Sequence, residues 1–246
     1  MVQESAKEWN PKLLSVIIPC YNEAGNIEEV IQAVESVDVG IPKEIIVVDD
    51  GSQDGTVKLL KEIREKRGED QVLKIHFSML NFGKGTAIRV GLKYATGDII
   101  IIQDADLEYD PRDYPKLIEP IKRNEKDVVF GSRFLGQARP QGMKVLNWLF
   151  NKFIALLTRI LYPGHRITDE ATCYKAFRSD IIQSLDLKCE RFEFCPEVTA
   201  KIFKGSYRFL EVPISYKART IAEGKKISWR DAFEAIYTLV KYRLKN

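Results

Sequence analysis

Asp104 and Asp106 are the residues best placed to do chemistry in this 246-residue chain, because of what stands before them. Gly97-Asp98-Ile99-Ile100-Ile101-Ile102-Gln103 is a short β-branched run opened by a turn residue, which predicts a buried strand of a parallel sheet. Two carboxylates then emerge at the carboxyl end of a central strand, the edge where open α/β sheets bind ligands. A pair of acids there can hold a hard divalent cation, and the cation can in turn hold phosphate oxygens. Glu108 adds a third oxygen donor. The competing reading makes Asp104 a turn cap and Asp106 a solvated charge.

The surrounding elements alternate. Leu13 to Pro19 predicts a strand, and Asn26 opens a helix with Ile27, Val30, Ile31 and Val34 on one face. Glu44 to Val48 predicts the second strand, left through Asp49-Asp50-Gly51-Ser52. A helix carrying Val57, Leu60 and Ile63 follows, then a weaker strand from Val72 to Phe77 and a helix from Lys84 to Ala95. After the acid-bearing strand, Asp110-Pro111 starts another helix, and Asp127 to Gly131 is a fifth strand. Repeated β-α-β units imply a mostly parallel, doubly wound sheet. Beyond Ser132 the pattern changes to a long apolar helix (Val145 to Tyr162), a strand at Thr172 to Phe177, a helix from Pro196 to Lys204, a strand from Tyr207 to Ile214 and a last helix from Trp229 to Leu244. One domain over 1–246 fits, with a nucleotide half at about 12–131 and an acceptor half at about 132–246 that ends in an amphipathic helix.

Glu23, Asp49 with Asp50, and Asp104 with Asp106 follow three strands whose ends should share one edge, so these acids converge. Acids there suit base and ribose hydroxyls and a metal, whereas direct phosphate contact would repel. Lys84, in Asn81-Phe82-Gly83-Lys84-Gly85-Thr86, could supply positive charge. That stretch imitates a P-loop, but Ser78 and Gly85 stand where glycine and Ser/Thr are required. No G-x-G-x-x-G follows the first strand, which argues against a dinucleotide fold. An aspartyl-phosphate phosphatase would also place Asp-x-Asp after an apolar strand, with Asp104 as nucleophile. That reading leaves Asp49-Asp50 without a role.

Composition sets further limits. A hydrophobic fraction of 45% and a charged fraction of 30% are ordinary for a globular domain, and a net charge of +3 gives no reason to expect nucleic acid. Cys20, Cys173, Cys189 and Cys195 show no CxxC spacing, so a reducing compartment is expected and neither zinc nor disulfides are. His76 and His165, the two histidines, exclude a histidine-rich metal centre. The first eleven residues carry Glu4, Lys7 and Glu8 and do not read as a signal peptide. Val145 to Tyr162 is too interrupted to span a bilayer; it reads either as a buried core helix or as a helix lying in a membrane interface.

Val16-Ile17-Ile18-Pro19-Cys20-Tyr21-Asn22-Glu23, Val47-Val48-Asp49-Asp50-Gly51-Ser52-Gln53-Asp54-Gly55-Thr56, Asn81 to Thr86 and Asp104-Ala105-Asp106 together resemble the family 2 inverting glycosyltransferases of GT-A fold. Gly131-Ser132-Arg133-Phe134, Thr168 to Phe177 and Glu211-Val212-Pro213-Ile214 further resemble the polyprenyl-phosphate (dolichol-phosphate mannose or glucose) synthase branch. The resemblance implies a Rossmann-like α/β sheet with a C-terminal acceptor side. It implies that Pro19, Tyr21, Glu23 and Asp50 hold base and ribose, with Lys84 and Ala105 also on the nucleotide-sugar side. Asp104, Asp106 and Glu108 would hold Mg²⁺ or Mn²⁺ and through it the sugar diphosphate; Glu108 stands where such synthases often have glutamine. Arg133 and Lys144 would bind the acceptor phosphate, and Arg219, Lys225 and Lys226 would belong to a mobile acceptor loop.

The function so implied is transfer of one hexose, with inversion, from a UDP- or GDP-sugar to a polyprenyl phosphate at the cytoplasmic face of a membrane. Attachment would be peripheral, directly or through a membrane-anchored partner. A phosphate acceptor, with a second pKa of about 6, needs no strong base. A sugar-hydroxyl acceptor, the enzymatic alternative, would need one, and Asp169 is the candidate. The non-enzymatic alternative is a nucleotide-sugar-binding subunit.

Overall fold

The four-isoleucine run forms β4 (Ile99–Ile102), with every residue buried. It is apolar on both sides because the sheet is covered on both faces: Ile99 and Ile101 enter one core, Ile100 and Ile102 the other. The same alternation divides β1 (Leu14–Cys20), where Val16 and Ile18 face one core and Ile17 the other. The computed structural model describes residues 9–68, 72–136, 139–140, 142–218 and 229–245.

With β2 (Lys43–Asp49), β3 (Leu73–Phe77), β5 (Val128–Ser132), β6 (Lys175–Arg178) and β7 (Phe209–Pro213), these strands form one seven-stranded sheet in the order β3-β2-β1-β4-β6-β5-β7. The β3-β2-β1-β4 half is parallel throughout, whereas β6 runs antiparallel to β4 and to β5. Strands β6 and β7 come from the region expected to form an acceptor half. The boundary near residue 132 therefore crosses a continuous sheet.

Helix α1 (Ile27–Ser36) buries the face its spacing predicts, Ile27, Val30, Ile31 and Val34, and α2 (Thr56–Arg67) buries Leu60 and Ile63 but leaves Val57 half-buried. Next come α3 (Lys84–Tyr94) and α4 (Tyr114–Lys122). A single 3₁₀ turn, Pro111–Asp113, precedes α4 where the sequence predicts a helix start, and Asp110 accepts the Arg112 N–H there at 3.0 Å. The remaining helices are α5 (Val145–Leu161), α6 (Ser179–Ser184), α7 (Phe194–Lys204) and α8 (Trp229–Leu244).

Three expectations change. β6 begins three residues later than predicted, at Lys175, and pairs with β4 through Ala176, Phe177 and Arg178. β7, the last strand of the sheet, is half-buried from Phe209 to Val212 and exposed at Pro213 instead of alternating. In α5 only Ile154, Ala155 and Thr158 are buried, while Leu146, Leu149, Phe153, Leu156 and Ile160 are exposed, so it is not a core helix.

Candidate active site

Because β2, β1 and β4 are adjacent and parallel, their carboxyl ends open onto one cleft of about 400 Å³. Pro19, Tyr21, Glu23, Asp50, Lys84, Asp104, Ala105, Asp106 and Glu108 line it, so each expected nucleotide-side residue reaches one place. Asn22, in the left-handed region at φ 52°, joins two of the strand ends: its N–H donates to Ser52 Oγ at 2.8 Å and its side chain accepts the Gln53 N–H at 2.8 Å. Asp49 is fully buried beneath the floor, and its Oδ1 has no hydrogen-bond partner.

Asp50 builds one wall. Its carboxylate accepts the Phe82 N–H at 2.9 Å and the Gly83 N–H at 2.7 Å. Burial raises its pKa above the ordinary aspartate value despite these donors, and the charge of Asp49 pushes the same way. Behind that wall, the Gly85 and Thr86 N–H groups donate to the carbonyls of Arg191 and Glu190, each at 2.9 Å. The amino end of α3, the usual phosphate seat of a P-loop, is thus filled by protein carbonyls. Gly85 is required because a Cβ there would stand 2.9 Å from the Arg191 carbonyl oxygen.

The acid turn is anchored from below by Gln103, the polar residue that follows β4. Its Oε1 accepts the hydroxyls of Tyr114 (2.8 Å) and Tyr174 (2.7 Å), and its Nε2 donates to the Asp104 carbonyl at 2.9 Å. Asp104 Oδ1 forms an ion pair with Lys84, whose ammonium also meets Cys173 Sγ at 2.9 Å. Burial opposes the lysine charge, but Asp104 together with Cys173 and Cys195 holds Lys84 well above the ordinary lysine value. Asp106 Oδ1 accepts the Glu108 N–H at 3.1 Å across Leu107, a non-glycine residue at φ 58°. Glu108 Oε2 accepts the Tyr216 hydroxyl at 3.0 Å.

Among the described residues no three acidic, cysteine or histidine side chains converge as a metal-ligand set. Asp104 and Asp106 are the carboxylates of the turn itself, and Glu108, expected as a third ligand, has its Oε2 directed to Tyr216. Two carboxylates fit a Mg²⁺ or Mn²⁺ ion that draws its other ligands from water and a diphosphate.

On the acceptor side, Arg133 and Asp169 come together as a buried two-pronged pair. Arg133 Nε and Nη2 each donate to an Asp169 oxygen at 2.7 Å, and the Arg133 N–H adds a third bond at 3.0 Å. Burial disfavours the guanidinium charge, yet Asp169 holds its pKa well above the arginine reference. The fork expected to meet an acceptor phosphate is thus paired with Asp169, and the carboxylate weighed as a base is paired with arginine. Glu211 fixes the pair from β7, accepting the Asp169 N–H at 2.9 Å and the Thr168 N–H at 2.8 Å.

Tyr216 links the two sides, since Arg133 lies 5.0 Å over its ring while its hydroxyl reaches Glu108. Arg133 Nη2 also approaches Asn151 of α5 at 3.5 Å. The second basic residue beside Arg133 is Lys152, 4.6 Å over the Phe134 ring that Arg133 also faces. Lys144 stands exposed immediately before α5, without an ion pair among the described residues. Arg219, Lys225 and Lys226 lie outside the described residues.

Glu190, Arg191 and Phe192 also line the cleft and were not legible. The signal available was the pair Gly83 and Gly85, which announces a close backbone approach without naming what approaches. Glu170, Thr172 and Thr199 each bury an oxygen with no hydrogen-bond partner behind the site, and burial pushes Glu170 up to about 8. Among the described residues, no helix is long and apolar enough to cross a membrane.

The Glycosyl transferase family 2 model matches residues 15–186. The dolichol-phosphate mannosyltransferase of Pyrococcus furiosus is 34% identical over 239 residues, covering 93% of this chain and 64% of that protein. The UDP-N-acetylglucosamine–dolichyl-phosphate N-acetylglucosaminyltransferase of Methanococcus voltae is 30% identical over 250 residues, 95% of this chain and 97% of that one. The chain thus spans less than two thirds of the Pyrococcus protein and nearly all of the Methanococcus one. The crystal structure of glucosyl-3-phosphoglycerate synthase from Mycobacterium tuberculosis with Mn²⁺, UDP and glucosyl-3-phosphoglycerate has a TM-score of 0.71 at 21% identity, covering 94% of this chain and 80% of that one. That last likeness is one of fold. Since the matched stretch runs from β1 through the three acid-bearing strand ends to just beyond α6, the chain belongs to the family 2 glycosyl transferases and has their GT-A fold.

Proposed function

We propose that the chain transfers a hexose, with inversion, from a UDP- or GDP-sugar in the acid cleft to a polyprenyl phosphate approaching from α5. One observation carries this reading. Glu108, Tyr216, Arg133 and Asn151 form a continuous line from the acid turn to α5, whose far side is apolar and exposed. A phosphate with a long apolar tail suits both ends of the acceptor side. Arg133 and Lys152 supply positive charge near Phe134, and Leu149, Phe153 and Leu156 supply an apolar surface.

Asp104 and Asp106 would hold Mg²⁺ or Mn²⁺, whose chemistry is to neutralise the charge growing on a departing diphosphate. The chain's own residues position the reactants. Asp50 and Gln103 fix the walls and floor, and Tyr216 spaces the acceptor cation from the donor acids. The acceptor phosphate is already an anion at neutral pH, so the commitment of Asp169 to Arg133 is no obstacle. The same commitment counts against a sugar-hydroxyl acceptor, which needs a base.

The names of the Pyrococcus and Methanococcus relatives support a polyprenyl-phosphate acceptor. The exposed apolar sides of α5 and α8, including Phe233 and Tyr237, support peripheral attachment at the cytoplasmic face of a membrane, directly or through a membrane-anchored partner. A panel of UDP- and GDP-sugars with short polyprenyl phosphates, read by mass spectrometry, tests the reading. A glycosyl phospholipid that disappears with EDTA and in Asp106→Ala is expected. Metal-independent turnover, or product with sugar-hydroxyl acceptors alone, overturns it.

A further inference from the structure

The charged residues among those lining the cleft are mostly acidic: Glu23, Asp50, Asp104, Asp106, Glu108 and Glu190, against two bases, Lys84 and Arg191. A diphosphate entering such a cleft meets repulsion unless positive groups offset it. The positive groups that the fold usually offers are already committed. Lys84 is paired with Asp104 and in contact with Cys173. The amides of Phe82 and Gly83 serve Asp50, and those of Gly85 and Thr86 serve the carbonyls of Arg191 and Glu190.

Arg191 differs. Its backbone is fixed on both sides, the N–H donating to Glu193 at 2.9 Å and the carbonyl accepting from Gly85. Its side chain is exposed at the cleft and forms no ion pair among the described residues. Glu234 of α8 lies within reach of its charge without forming a salt bridge. A firmly held backbone carrying an uncommitted guanidinium beside an acid-lined cleft is a site for a phosphate group, which the planar fork binds through two parallel N–H bonds.

We infer that Arg191 is a donor-binding residue whose guanidinium pairs with the diphosphate of the nucleotide sugar and of the nucleoside diphosphate left after transfer. This deepens the proposed function and rests on its donor reading. Its role is separate from that of Arg133, which serves the acceptor side and is bound to Asp169.

The test is calorimetric binding of UDP, GDP, uridine and guanosine to the full chain, with Mn²⁺ and with EDTA, for the native protein, Arg191→Gln and Arg191→Lys. For whichever nucleoside diphosphate the native protein binds, Arg191→Gln should weaken affinity about tenfold to a hundredfold, the range for one charge-assisted contact. The loss should persist in EDTA, Arg191→Lys should recover part of it, and affinity for the bare nucleoside should change less than about twofold. Thermal melting checks that the variants are folded. Unchanged diphosphate affinity in Arg191→Gln, or an equal loss for the nucleoside, overturns the role of Arg191 while leaving the donor reading intact. A native protein that binds neither UDP nor GDP overturns both.

Discussion

Replacing Lys84 with methionine removes the ammonium that holds Asp104 and leaves a carboxylate in a nearly closed site. The two side chains are 17% and 12% exposed. Removing one partner of a fully buried pair costs about 3–5 kcal/mol, and the residual exposure argues for the lower end, about 3 kcal/mol. For a chain of this size that lowers Tm by roughly 6–12 °C. Asp104→Asn strands the ammonium instead and should cost a similar amount. Because the two charges interact directly, the double variant should lose less than the sum of the singles by at least about 1.5 kcal/mol. Calorimetric melting of the metal-free full chain measures all four corners of the cycle. A second readout follows from the same contact. With Lys84 gone, Asp104 Oδ1 is available to a cation, so Mn²⁺ should raise Tm further in Lys84→Met than in the native chain. Additivity within about 0.5 kcal/mol would refute the ion pair. An unchanged response to Mn²⁺ would refute Asp104 as a metal ligand.

Glu170, pushed up to about 8 from a reference of 4.5 by burial, carries more proton in the folded than in the unfolded chain between those values. Its contribution is full below about pH 4.5 and is lost as pH rises through 8, on the order of 5 kcal/mol over the window. Glu170→Gln should therefore grow more stable than the native protein from pH 5 to pH 8 in urea melts, and parallel curves would refute this. Arg133→Lys breaks a bidentate buried pair and should cost about 1.5–3 kcal/mol of stability together with acceptor use, nucleotide binding being spared. Asp169→Asn should behave alike; an inactive Asp169→Asn beside an indifferent Arg133→Lys would favour a sugar-hydroxyl acceptor. Leu149→Asp combined with Phe153→Asp should reduce sedimentation with anionic lipid vesicles at least about tenfold while turnover of a short-chain acceptor persists. Unaltered sedimentation would remove α5 from the membrane.

The sequence by itself determined the strands and the acids at their ends. Strand identity rests on local runs such as Ile99 to Ile102, and in a parallel sheet the carboxyl ends of neighbouring strands share an edge whatever the rest of the chain does. Pro19, Glu23, Asp50, Asp104 and Asp106 could therefore be brought together on paper, each lying within a few residues of a strand. The faces of α1 and α2 were legible for the same reason, helical period being a local property.

Tertiary structure decided everything that depends on residues distant in sequence. Nothing local to Arg133 shows that its fork closes on Asp169, thirty-six positions later, under a clamp from Glu211. The Glu190–Phe192 loop belongs to no periodic element, so its place on the cleft wall follows from its packing against Gly83 and Gly85. Apolar residues on most sides of α5 also left its environment open. Burial is a property of what packs against a helix, and the fold covers Ile154 and Ala155 while leaving Leu149 and Phe153 bare.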